Sequence, residues 1–119
     1  MNEKRINRIA TEIKREISEM IRESIRDPRI TDMTTISHVK VTRDLGFATI
    51  YVSVLGNEAL KAETIDGLEN AKGFIKKELG ARLDLRHIPE LRFQIDDTVE
   101  NGLHIEEIIS RLNEGGSVE

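Results

Sequence analysis

The chain is 119 residues long, contains no Cys and no Trp, and carries a net charge of −4. That length predicts one domain with a core large enough to stand without covalent staples, and the lack of Cys excludes a disulfide framework, a zinc–thiolate site and a thiol nucleophile. No apolar run approaches membrane-spanning length, no apolar leader opens the chain, and the few rings (Phe47, Tyr51, Phe74 and Phe93) argue against reading single-stranded bases by stacking, so a cytoplasmic protein is expected.

Residues 3–26 predict a helix. Ile6, Ile9, Ile13, Ile17, Met20 and Ile21 recur every three or four residues and make one apolar stripe. Arg5, Arg8, Lys14, Arg15 and Arg22 fall mostly off it. Asp27-Pro28 stops the helix, because the residue before proline is pushed out of the α region. Residues 35–42 predict a strand, with Val39 and Val41 on one face and His38 and Lys40 on the other. Residues 47–55 predict a second, with Ala48, Ile50, Val52 and Val54 inward and Thr49, Tyr51 and Ser53 outward. Arg43-Asp44-Leu45-Gly46 is the turn between them, in which Gly46 can take positive φ.

Gly56-Asn57-Glu58 breaks the chain. A helix follows over about 61–71, burying Ile65 and Leu68. Gly73 is either a kink or a tolerated helical glycine. Phe74, Ile75, Leu79 and Leu83 continue the apolar stripe past it, and Lys72, Lys76, Lys77, Arg82 and Arg86 are left on the more exposed sides. Pro89 leads into a third strand over 91–96, with Leu91, Phe93 and Ile95 inward and Arg92 and Gln94 outward. A polar loop over 97–102 and a short apolar-striped helix over 103–112 close the pattern. Residues 1–113 are expected to form a single domain, with 114–119 a frayed tail. The order, helix–strand–strand–helix–kink–helix–strand, predicts an α+β fold with a three-stranded sheet packed on helices.

Charge is unevenly spread. Residues 1–30 carry 8 basic and 6 acidic groups, and residues 72–92 carry 6 and 3. Residues 31–71 carry 3 basic and 6 acidic groups, and residues 93–119 carry 1 and 7. Such asymmetry can make a basic face on an acidic protein, although ordinary solvated helix faces give the same counts.

Several short pieces, in order along nearly the whole chain, carry a family resemblance. They are Asp27-Pro28-Arg29, Arg43-Asp44-Leu45, Ala48 to Leu55, Ala71-Lys72-Gly73-Phe74-Ile75, Leu85-Arg86, Pro89-Glu90-Leu91, and Gly102 before the last apolar segment. Together they resemble the ribosome-binding factor A family of bacterial small-subunit assembly factors. The resemblance implies a type II KH-like fold whose Gly-x-x-Gly loop is replaced by an Ala-x-Gly kink, here Ala71, Lys72 and Gly73. It also implies binding to the immature small (30S) ribosomal subunit, a role in late maturation of its 16S ribosomal RNA, and a link to growth in the cold. The basic C-terminal extension of some relatives has no counterpart in this acidic tail.

In an ordinary KH domain a glycine-rich loop lets the RNA backbone lie close across a helix N-terminus. Ala71, Lys72 and Gly73 are candidates for a modified form of that contact, with Lys76, Lys77, Arg82 and Arg86 on phosphates and Arg5 and Arg8 as a second surface. Phosphate contacts give affinity and register but do not read sequence. The competing reading is that Gly73 only permits helix–strand packing while the lysines solvate an exposed face.

His38, His87 and His104 lack metal-ligand spacing, and Asp96-Asp97 has no partner base, so no metal site and no catalytic residue is expected. The expected partner is the small subunit and its RNA, bound without a cofactor or membrane contact by a monomer. A general KH-type RNA-binding module and a protein-interaction module are the alternatives.

Overall fold

A computed structural model describes residues 2–31 and 33–96; the expected 97–102 loop, the 103–112 helix and the tail lie outside the described residues. The elements are α1 (Glu3–Glu23), β1 (Thr34–Val41), β2 (Phe47–Val54), α2 (Glu58–Asn70), α3 (Lys72–Arg82) and β3 (Glu90–Ile95). This is the α-β-β-α-kink-α-β order expected of a type II KH-like domain. The sheet order is β1-β2-β3, with β1 antiparallel to β2 and β3 parallel to β2. A parallel pair needs a long crossover, and α2 and α3 supply it. No helix among the described residues is long and apolar enough to cross a membrane.

The stripe of α1 buries Ile6, Ile9, Ile13, Ile17 and Met20 against the inner face of the sheet, where Ile36, Val39, Ala48, Ile50, Val52 and Leu91 meet them. Leu68, Ile75 and Leu79 close the core from α2 and α3. Burial of each such side chain is worth about 1.5–3 kcal/mol, so this aliphatic block carries the fold.

α1 ends earlier than expected. Ser24 and Ile25 both donate their N–H groups to the Met20 carbonyl, and the chain leaves the helix there. Ile25 and Ile30 then pack on the core as part of a turn of their own. Asp27 organises that turn: its carboxylate accepts the Arg29 N–H at 2.9 Å and the Arg29 guanidinium at 2.8 and 3.0 Å. These bonds hold the Asp27 carboxyl down at about 2. The turn docks on α2, where the Thr64 hydroxyl shares its proton between the Leu60 carbonyl of its own helix, at 2.9 Å, and the Arg29 carbonyl, at 3.2 Å. A Cβ on Gly67 would stand 3.0 Å from Ile30 Cγ1 and 3.2 Å from Arg29 Cβ, so glycine is what admits the turn.

α2 begins before 61 because Asn57 caps it, accepting the Leu60 N–H at 2.8 Å. Gly56, at φ 157°, makes the preceding corner, and a Cβ there would run into Leu60. The buried side of α2 is Lys61, Thr64, Gly67 and Leu68, with Ile65 only partly covered.

The hairpin differs from expectation at one residue. Leu45, not Gly46, adopts the left-handed conformation, at φ 59°. Asp44 accepts the Gly46 N–H at 2.9 Å and the Thr42 hydroxyl at 2.8 Å, and these bonds lower its carboxyl below the usual range. The left-handed cost of about 1–2 kcal/mol is offset by packing the Leu45 side chain on the core. β1 also contains a bulge: Ile36 pairs with Val52, but His38 pairs with Tyr51, leaving Ser37 as the extra residue. The bulge keeps Thr34 and Ile36 on the same buried face as Val39 and Val41.

Candidate nucleic-acid interface

α2 runs into α3 through a single residue, Ala71, at φ −87° and ψ −1°. The Ala71 N–H still bonds back to the Gly67 and Leu68 carbonyls, at 3.0 and 3.1 Å. The helical run is therefore interrupted at Ala71, between Asn70 and Lys72, and not at Gly73. α1 and α2 each begin under an Asn side-chain cap, but Ala71 offers α3 none. The first backbone bond of α3 runs from the Ile75 N–H to the Ala71 carbonyl, at 2.9 Å. The N–H groups of Lys72, Gly73 and Phe74 precede it and belong to the orphan donors of a helix start, where the helix dipole favours negative charge.

Gly73 sits on the exposed side of this start, and a Cβ built there meets nothing within 4 Å. Internal packing therefore does not require glycine at 73, which removes the reading that it serves helix–strand contact. What glycine leaves instead is bare backbone facing outward.

The residues expected to contact RNA separate by their partners. Lys72 is tied to Glu69 at 2.7 Å, Lys76 to Glu90 at 3.2 Å, and Arg8 to Glu12 at 3.9 Å. Arg82 is held by Glu16 at 3.2 Å and Glu78 at 3.3 Å, with its side chain 28% exposed, and the Glu16 bond raises its pKa further. That pair fastens α3 to α1, and its geometry is that of a structural tie. Lys77, Arg86 and Arg5 make no ion pair among the described residues. Lys77 lies four residues after Gly73, which places the two on one face of α3. Ala71 is partly buried against the core and shapes the break without offering a contact of its own.

Phe74 corrects the expected stripe. The buried line steps in fours through Ala71, Ile75, Leu79 and Leu83, and it leaves Phe74 off its edge, 43% exposed beside Gly73. Among the described residues no cluster of His, Asp and Glu could hold a metal ion. His38 lies on the outer face of the sheet, stacked on Tyr51, and His87 is exposed in the loop after α3. His104 lies outside the described residues.

Comparison with known proteins agrees with this architecture. The family model described as ribosome-binding factor A matches residues 5–109. A ribosome-binding factor A of Finegoldia magna is 49% identical over 115 residues, spanning 96% of this chain and 95% of the relative. The solution structure of a candidate ribosome binding factor A from Thermotoga maritima is 35% identical, with a TM-score of 0.69 over 76% of this chain and 85% of that one. A homology model of the Thermus thermophilus ribosome binding factor A, fitted into the cryo-EM map of a 30S complex of that protein, shares the fold at 24% identity and a TM-score of 0.61, over 74% of this chain and 91% of that one. With the family model spanning most of the chain and a relative this similar along nearly its full length, the chain belongs to the ribosome-binding factor A family.

Proposed function

We propose that this protein binds the immature small ribosomal subunit and holds part of its RNA in one conformation during late maturation of the 16S ribosomal RNA, including at low temperature. It acts in the cytoplasm as a monomer, by binding and not by bond-making. A factor of this kind biases an RNA only by binding one state better than another. The single observation that carries the reading is the start of α3: an uncapped helix N-terminus, bare backbone at Gly73, and Lys77 without an ion pair on the same face. Those features suit a phosphate, because backbone donors and dipole point at it and no side chain keeps it away. Membership of a family with a relative fitted to the 30S subunit supplies the class of RNA. The net charge of −4 is compatible with this, since the acidic excess lies in 31–71 and 93–119, outside the two basic segments.

Gradient sedimentation across a salt series tests the proposal. The protein is expected to travel with free small subunits at low salt, to leave them as salt rises, and to be absent from joined ribosomes. Absence from small subunits at every salt concentration, for a folded protein, contradicts it.

A further inference from the structure

Four aromatic residues serve the whole chain, three Phe and one Tyr, and only Phe93 belongs to the core. Rings are the largest apolar fillers available, yet this core is otherwise aliphatic. Two of the remaining three rings lie on the outer face of the sheet, opposite the helices. Phe47 there is 39% exposed, and Tyr51 is half-buried.

Strand register places these rings among cations. Lys40, Thr49 and Arg92 form one row across the three strands, and His38, Tyr51 and Gln94 form the next. The His38 and Tyr51 rings stack with centroids 5.8 Å apart and planes at 28°. The Arg92 guanidinium lies over the Phe47 ring at 4.1 Å. Lys40 and Arg92 make no ion pair among the described residues. The acidic groups of this face are engaged: Glu90 holds Lys76, and Asp96 accepts the Ser37 hydroxyl at the far end of the sheet. Phe47 and Tyr51 are four residues apart on one strand, about 13 Å, which separates two stacking positions.

We propose that the outer sheet face is a second RNA surface, which stacks unpaired bases on Tyr51 and Phe47 while Lys40 and Arg92 meet the flanking phosphates. It is distinct from the α3 start and rests on the RNA-binding reading above. Base–ring stacking tolerates any sequence, and a guanidinium plane over a ring extends the same platform. A small number of rings therefore does not exclude base stacking: what counts is how many rings lie beside cations on the outer face, and here two of the four do.

Tyr51 reports on itself, because the chain has one Tyr and no Trp. Titration with a short oligouridine is expected to quench tyrosine emission, while an equal amount of duplex RNA does so weakly. Phe47→Leu/Arg92→Gln, which keeps an apolar strand residue, is expected to weaken the oligouridine interaction about tenfold or more, in line with stacking worth about 1–3 kcal/mol per base. Unchanged tyrosine emission, with the oligouridine either bound by polarisation or unbound, overturns the inference. So does a small-subunit association that is lost in folded Phe47→Leu/Arg92→Gln yet survives nuclease digestion, which assigns the face to a protein. Quenching without sedimentation on small subunits leaves the outer face standing and removes the ribosomal reading; sedimentation without quenching does the reverse.

Discussion

Lys77→Glu/Arg86→Glu is expected to lower affinity for small subunits by at least about tenfold, close to 1.4 kcal/mol. It is also expected to flatten the dependence of log affinity on log salt, by about 0.7–0.9 for each phosphate contact removed. Neither residue makes an ion pair among the described residues, so thermal stability should stay within about 0.5 kcal/mol of wild type. Arg82→Glu should behave in the opposite way. It places a third carboxylate beside Glu16 and Glu78 and breaks the tie between α1 and α3, so its first effect is on melting. Comparing the two variants separates cations that face outward from cations that hold the fold, a distinction invisible to charge counting. An unchanged salt slope in the double variant moves the contact away from Lys77 and Arg86.

Gly67→Leu is expected to be the most destabilising change among the glycines within α2 and α3, at about 1–3 kcal/mol, read as a lowered denaturation midpoint with an unchanged slope. The site has no room. Ile30 Cγ1 stands 3.0 Å and Arg29 Cβ 3.2 Å from where even a first carbon would go, and the Asp27–Ile30 turn cannot retreat without surrendering the Thr64 bond to Arg29 and the packing of Ile30. Gly73, six residues on, has nothing within 4 Å of the same position. Two glycines in adjacent helices thus have opposite reasons for being glycine. One admits the protein's own turn, and the other faces open space. If Gly67→Leu melts like wild type, the close docking of that turn on α2 is wrong.

Much of the fold is legible in the sequence because its signals are local and periodic. The stripe of α1 and the alternation of β2 give their burial without any tertiary information, and the structure has both. The α2–α3 break is legible as small residues in a helical stretch, but its position is not, since Gly73 is the weaker helix former while Ala71 is where the helical run is interrupted. The pattern misplaces Phe74 because that residue stands one position ahead of the buried line Ala71, Ile75, Leu79 and Leu83, at the edge of the stripe, where apolar character alone does not say which side is covered. Leu45 escapes sequence reasoning because its left-handed φ is set by Asp44 bonds and core packing, not by glycine preference. The bulge at Ser37 depends on the pairing partner, which β1 alone does not encode. The candidate site is legible only in part for a related reason. Arg82 and Lys76 look free in sequence, yet their partners Glu16 and Glu90 lie 66 and 14 residues away. Composition discounts the outer-face rings because it counts rings without saying where they face.

The most direct test of an RNA contact at the α3 start is a paired measurement on Gly73→Leu, its melting temperature and its affinity for free small subunits beside wild type. The side chain enters open space and replaces a poor helix former, so the fold should be as stable as wild type or more so by about 0.5 kcal/mol. It also covers the bare backbone at the start of α3, so affinity should fall about tenfold or more. A stable variant that has lost the subunit places the RNA backbone against Gly73. A stable variant that binds small subunits as tightly as wild type would contradict that contact, which would then have to lie elsewhere on the protein.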